Sequence, residues 1–167
     1  SRSTLMSAGF GGHEGRRLRN GDVLHIGGEN GSAPTSLASG ATAADALYRP
    51  RFPADQERIL IMRGPQAHLF DEDTWSTFLG TRYTISRASD RTGYRLDGRS
   101  LSHGGDAALP SEPTCVGAIQ VPNGGAPIVL MQDGPTIGGY PKIAVIRSTE
   151  LSRFAQKVPG DSVRFSR

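Results

Sequence analysis

The chain is 167 residues long, enough for one compact domain with a real core, and carries a formal net charge of +3. Its basic residues are scattered, which argues against a nucleic-acid stripe, and no apolar run approaches the roughly 20 residues that a membrane span needs. The single Cys115 rules out an internal disulfide framework; with no signal peptide in the sequence, it fits a reducing, cytoplasmic compartment.

With 22 glycines and 11 prolines and no sustained helical periodicity, the chain reads as all-β or β-rich and dense in turns. Ser1-Arg2-Ser3-Thr4 opens without an initiator Met, so the chain reads as a portion of something longer. Gly9-Phe10-Gly11-Gly12-His13-Glu14-Gly15 invites a phosphate-loop reading and fails it. A third glycine would have to stand at Glu14, and no P-loop lysine follows. A glycine-rich turn is the better reading. Arg19-Asn20-Gly21-Asp22 predicts a turn and Val23-Leu24-His25-Ile26 a strand. Ser-, Ala- and Thr-rich sequence then predicts a loose connector and the one internal seam, at 27–57, with a short helix over 41–47.

Arg58-Ile59-Leu60-Ile61-Met62-Arg63 predicts a strand closed by Gly64-Pro65. The stretch from Asp71 to Leu79 predicts a helix, its acidic first turn suiting the dipole and Gly80 ending it. Strands follow over 82–87 and 94–96, then a pair over 117–121 and 127–131 turned by Pro122-Asn123-Gly124-Gly125. Ile128–Met131 and Ile143–Ile146 flank the polar connection from Gln132 to Lys142 and read as a strand-loop-strand unit. Residues 149–156 predict a short helix capped by Ser148 or Thr149, and 162–165 a last strand. About eight short strands and two short helices suit a closed or nearly closed barrel.

The connection Gln132-Asp133-Gly134-Pro135-Thr136-Ile137-Gly138-Gly139-Tyr140-Pro141-Lys142 is longer than a tight hairpin needs. Its glycines let a ligand approach the backbone, and a loop held by two core strands is where function tends to sit. Taken alone, it reads better as an ordinary bulged turn with a solvated lysine. Asp90, Arg91 and Arg95 lie on one turn and strand, where guanidiniums can hold a carboxylate or phosphate. The bland alternative is a surface Asp–Arg pair. Gln120 is polar inside an apolar strand and faces opposite to Ile119, so it points to solvent or lines a cavity. Its amide both donates and accepts, which suits an amide, lactam or urea group, although on the residues alone a satisfied strand glutamine is the better reading. Cys115 reads as a small buried hydrophobe because Val116-Gly117-Ala118-Ile119 beside it is apolar. His13, His25, His68 and His103 lack ligand spacing, so no metal site is expected.

Three stretches together carry a resemblance. Asp90-Arg91-Thr92-Gly93-Tyr94-Arg95-Leu96-Asp97-Gly98, Gly117-Ala118-Ile119-Gln120-Val121-Pro122 and Gly138-Gly139-Tyr140-Pro141-Lys142-Ile143-Ala144 come in the order found in the allophanate hydrolase subunit 2 family. That family includes KipA, the C subunits of 5-oxoprolinases and the matching part of the urea carboxylase carboxyltransferase domain. The opening Ser1-Arg2-Ser3-Thr4 with Gly9-Phe10-Gly11-Gly12 is similar to a segment well inside the full-length family protein. The chain therefore resembles the family's C-terminal portion, as one barrel domain over 1–167. It departs from the pattern at Asp90 and Thr92, where the family has Asn and Met, and at Pro135-Thr136-Ile137, where the family has a Gln-Thr-Thr-like run.

The resemblance implies a cyclophilin-like closed β-barrel and a subunit 1 or KipI-like partner, with a LamB/YcsF-like subunit as a further companion. It implies three competing functions. The first is the C subunit, or its like, in an ATP-dependent 5-oxoprolinase, which opens the 5-oxoproline lactam to glutamate. The second is a carboxyltransferase of a biotin-dependent urea carboxylase or allophanate hydrolase system, with biotin on another chain. The third is a non-enzymatic KipA-like regulator of a histidine-kinase inhibitor. Under either enzymatic reading, Lys142 and Arg91 are the expected catalytic residues. Arg95, Gln120, Thr136, Gly138, Gly139 and Tyr140 are then the expected substrate-binding residues.

Overall fold

In this computed structural model, residues 4–5, 8–24, 57–104 and 109–167 are described. The chain divides into two compact units, Ser1–Pro50 and Arg51–Arg167.

In the first unit, β1 (Thr4–Leu5) pairs antiparallel with β2 (Phe10–Gly11). The Gly-rich segment is a turn, as its composition predicts, and Gly15 N–H closes it on Gly11 O at 2.8 Å. The 19–22 turn is also present, with Asp22 N donating to Arg19 O at 3.1 Å. The Arg16 guanidinium locks Asp22 with two hydrogen bonds of 2.8 Å and holds its carboxyl well below the usual range. Val23 and Leu24 are not in a strand, contrary to the expectation for 23–26; His25 and Ile26 lie outside the described residues. The predicted helix at 41–47 and all of the 27–57 seam except residue 57 also lie outside them.

The second unit is built on alternation. In β3 (Arg58–Arg63), Ile59 and Ile61 are buried while Arg58 and Met62 are exposed, so one face of the strand is apolar. β4 (Tyr83–Ile85), β5 (Gly93–Asp97), β7 (Ala118–Gln120), β8 (Ile128–Leu130), β10 (Lys142–Ile146) and β11 (Ser162–Ser166) join it. Together they form a closed seven-stranded barrel in the order β10-β3-β11-β4-β5-β8-β7. All pairings are antiparallel except that of β11 with β3. The closed, β-rich barrel expected from strand spacing and from the resemblance is therefore found.

Two helices pack on the barrel. α1 (Glu72–Gly80) starts at Asp71, whose side chain accepts from Thr74 N at 2.7 Å and caps the helix. Its Trp75 and Phe78 are buried, and Phe78 stacks on Phe165 with ring centroids 5.0 Å apart. α2 (Ser148–Ala155) sends Phe154 against Tyr94 at 5.4 Å. Its N-cap is Arg147, without a side-chain cap bond, rather than Ser148 or Thr149. β8 and β10 are not neighbours, because β7 is inserted between them. The connection from 132 to 142 therefore crosses over β7, and part of it becomes β9 (Ile137–Gly138), paired with β6 (Glu112–Pro113) as a two-stranded flap. Cys115 is exposed rather than buried, since β7 begins only at Ala118 and residues 116–117 form a turn.

Candidate functional site

Register decides which side chains share a face. On β7, Ile119 and Gln120 point to opposite sides; Ile119 pairs with Ala144 and Val129, whereas Gln120 pairs with Lys142 and Ile128. The step from 120 to 119 on β7 is matched by a step from 142 to 144 on β10, a bulge at Ile143. The bulge sets Lys142 on the outer face with Gln120, while Ala144 and Ile146 stay in the core. Gly64 accommodates it: Gly64 N donates to Ile143 O at 2.9 Å, and a Cβ at 64 would lie 2.2 Å from Lys142 O.

The outer face of β5, β8 and β7 forms the floor of a cavity of about 230 Å³. Gly93, Ile128 and Leu130 supply its apolar part, Ala88, Asp90 and Thr92 one wall, and Arg95, Gln120 and Tyr140 its polar groups. Gln120 is 4% exposed, and among the described residues its Nε2 has no hydrogen-bond partner. A buried amide N–H₂ left without an acceptor is costly, and a ligand carbonyl or carboxylate would satisfy it. Asp90 Oδ1 accepts from Thr92 N at 2.8 Å and Gly93 N at 3.2 Å. The Thr92 amide is the main reason the Asp90 carboxyl is held below its usual range. Asp90 thus shapes the turn and stays charged at neutral pH.

The flap covers the β7–β10 end of the same face. Gly138 lies against Gln120, and a Cβ there would come within 2.8 Å of Nε2. Beneath the flap, Lys142 is 3% exposed. Its Nζ lies 2.5 Å from Glu112 Oε1 on β6. Gln66, in the turn after β3, donates from Nε2 to the same Glu112 oxygen at 2.6 Å and accepts from Lys142 N at 3.2 Å. Lys142 first, and Gln66 second, hold the Glu112 carboxyl below its usual range.

Of the residues singled out from sequence, Arg95, Gln120 and Tyr140 line the cavity, Gly138 abuts it through Gln120, and Lys142 stands next to Gln120 across the strand pair. Three others stand apart. Gly139 faces Leu109 O, at 3.0 Å from where its Cβ would be. Thr136 is exposed on the flap, its carbonyl accepting from Thr114 N at 3.0 Å. Arg91 turns outward to an ion pair with Asp133 at 2.8 Å, and its side chain is 75% exposed. Glu112 and Gln66 carry no signal of a role in the sequence, although Ser111-Glu112-Pro113 stands beside a site strand. Gln66 lies 46 residues from Glu112 and 76 from Lys142, so no local spacing announces the cluster.

The closed barrel with its polar outer face matches one class of domain. A profile of the carboxyltransferase domain, subdomain A and B, matches residues 1–167, and the chain belongs to that family. It is 37% identical over 163 residues to the C subunit of 5-oxoprolinase from Escherichia coli (strain K12), covering 98% of this chain and 49% of that protein. It is 32% identical over 180 residues to the urea amidolyase of Lachancea kluyveri, covering 99% of this chain and 10% of that protein. Among solved structures, the urea amidolyase of K. lactis aligns with a TM-score of 0.75 at 27% identity, covering 99% of this chain and 11% of that one. The chain spans about half the length of the 5-oxoprolinase relatives it matches.

Proposed function

We propose that this chain is the barrel portion of the C-type component of a cytoplasmic, ATP-dependent 5-oxoprolinase. Working with a subunit 1 or KipI-like partner and a LamB/YcsF-like subunit, it would help open the 5-oxoproline lactam to glutamate. The observation that carries the reading is the buried, unpartnered Gln120 amide aimed into a cavity that also holds the Arg95 guanidinium. Gln120 Nε2 would donate to the lactam carbonyl, and Arg95 would take the carboxylate with a charge-assisted hydrogen bond. Tyr140 would close over the ring. Lys142, one strand away, would place positive charge where the carbonyl oxygen becomes anionic. Arg91, whose carbonyl accepts from Asp133 N at 2.9 Å, would tie the Asp90 turn to the following loop rather than touch substrate.

In this reading ATP activates the lactam carbonyl by phosphorylation before water attacks. The described cavity lining offers one guanidinium and no helix N-terminus, which fits a single carboxylate better than a triphosphate. ATP is therefore assigned to the companion subunits. The relatives named urea amidolyase support a second reading, carboxyl transfer from a biotin carried on another chain to urea or a related amide. Urea has no carboxylate for Arg95, and that favours the first. The test uses the full-length protein with its companion subunits, assayed for ATP hydrolysis with 5-oxoproline and for carboxyl transfer from carboxybiotin to urea. Glutamate formed only with ATP supports the lactamase. Carboxyl transfer moves the protein to the biotin class, and silence in both with tight binding among the subunits supports a KipA-like regulator.

A further inference from the structure

A lysine asked to act beside Gln120 needs its ammonium kept in one place, and the long aliphatic stem of Lys142 cannot do that by itself. We propose that Glu112, seconded by Gln66, is the positioning residue of this site. Its carboxylate fixes the Lys142 ammonium under the flap, next to the Gln120 amide.

Three features point the same way. Glu112 Oε1 forms an ion pair with Lys142 Nζ at 2.5 Å and accepts a hydrogen bond from Gln66 Nε2 at 2.6 Å, so one oxygen gathers the two groups. Gln66 grips both ends of the arrangement, because its other amide atom accepts from Lys142 N at 3.2 Å and so sets where the lysine side chain begins. Glu112 belongs to the flap rather than the barrel and is the strand partner of Gly138, the residue lying on Gln120. The flap thereby carries, in one short ladder, the counter-charge of Lys142 and the cover of Gln120. A lysine side chain only 4% exposed, facing a carboxylate that is 38% exposed, is a charge held inside by a partner that reaches it from the rim.

This inference rests on the reading in which Lys142 acts on the bound substrate, and its test separates the two. The full-length protein is prepared as Glu112→Gln, Lys142→Met and the double variant, with Gln66→Met as a second, independent disturbance of the cluster. Without substrate, the acylation rate of Lys142 relative to Lys157 is measured by mass spectrometry. It is expected to rise severalfold in Glu112→Gln and to rise less in Gln66→Met, at unchanged melting temperature. In the assembled complex, kcat is expected to fall on the order of 10²-fold in Glu112→Gln with KM nearly unchanged, as for a displaced catalytic group. In the Lys142→Met background, Glu112→Gln should cost nothing further. Wild-type Lys142 reactivity in both Glu112→Gln and Gln66→Met would overturn the proposal. So would a kcat loss that is additive with Lys142→Met and tracks a falling melting temperature. Altered Lys142 reactivity in a complex that turns over neither substrate would leave Glu112 as the holder of Lys142 and overturn the functional reading instead.

Discussion

Gln120 is the residue on which the functional reading turns. Its amide nitrogen is buried without a partner among the described residues, whereas a strand glutamine kept for structure would have its donors satisfied. Gln120→Leu therefore removes an unmet polar group rather than a bond, and thermal stability should hold or rise slightly. Binding of 5-oxoproline to the complex should weaken on the order of tenfold, the loss of about one hydrogen bond. A calorimetric titration alongside a melting curve checks both, and a large drop in melting temperature would make Gln120 a core hydrogen-bonding residue instead. Gly138→Ala tests the same contact from the other side. Its Cβ would press on Gln120 Nε2 and, at 3.3 Å, on Thr114 Cγ2. KM for the substrate should rise while the barrel stays folded.

The bulge in β10 shows how an element, rather than a residue, makes the site. In an unbulged strand of this sequence Lys142, two residues from Ala144, would share its face and enter the core, and no lysine would stand on the outer face with Gln120. Gly64 is the condition for that geometry, since a methyl group there would run into the Lys142 carbonyl and the Ala144 nitrogen, both backbone. Gly64→Ala should destabilise the barrel by roughly 1–3 kcal/mol, as overpacking does, and should abolish turnover even at temperatures where the protein stays folded. Denaturant unfolding and activity measured on one preparation check this. Local signals announce β3 and α1, because alternation and an acidic first turn act within a few residues. They cannot announce the bulge or β7 standing between β8 and β10, which depend on partners far along the chain. The same distance hides Gln66 and Glu112, and the exposure of Cys115 follows from where β7 starts rather than from its apolar neighbours.

At the scale of the whole molecule, both lysines are buried, so the cationic surface is supplied by arginine. The arginine bias of the composition thus leaves the two lysine ammonium groups inside, Lys142 at the site and Lys157 bonded from Nζ to Ser162 O at 2.9 Å. The charge pattern also sets an acid limit. Asp71 capping α1, Asp90 shaping the cavity turn and Glu112 on the flap all have carboxyls held below their usual range by hydrogen bonds or charge made in the fold. For a depressed carboxyl, the folded state binds fewer protons than the unfolded one. The stabilisation is then full above the unfolded value of about 4 and is lost as pH falls through the lower folded value. The melting temperature should accordingly stay level from neutral pH to about 5 and fall below about 4. Asp90→Asn should melt lower than wild type at neutral pH and converge on it in acid. Thermal melts of both proteins across that range decide the matter, and parallel curves at all pH values would mean that the Asp90 carboxylate contributes nothing to the turn it caps.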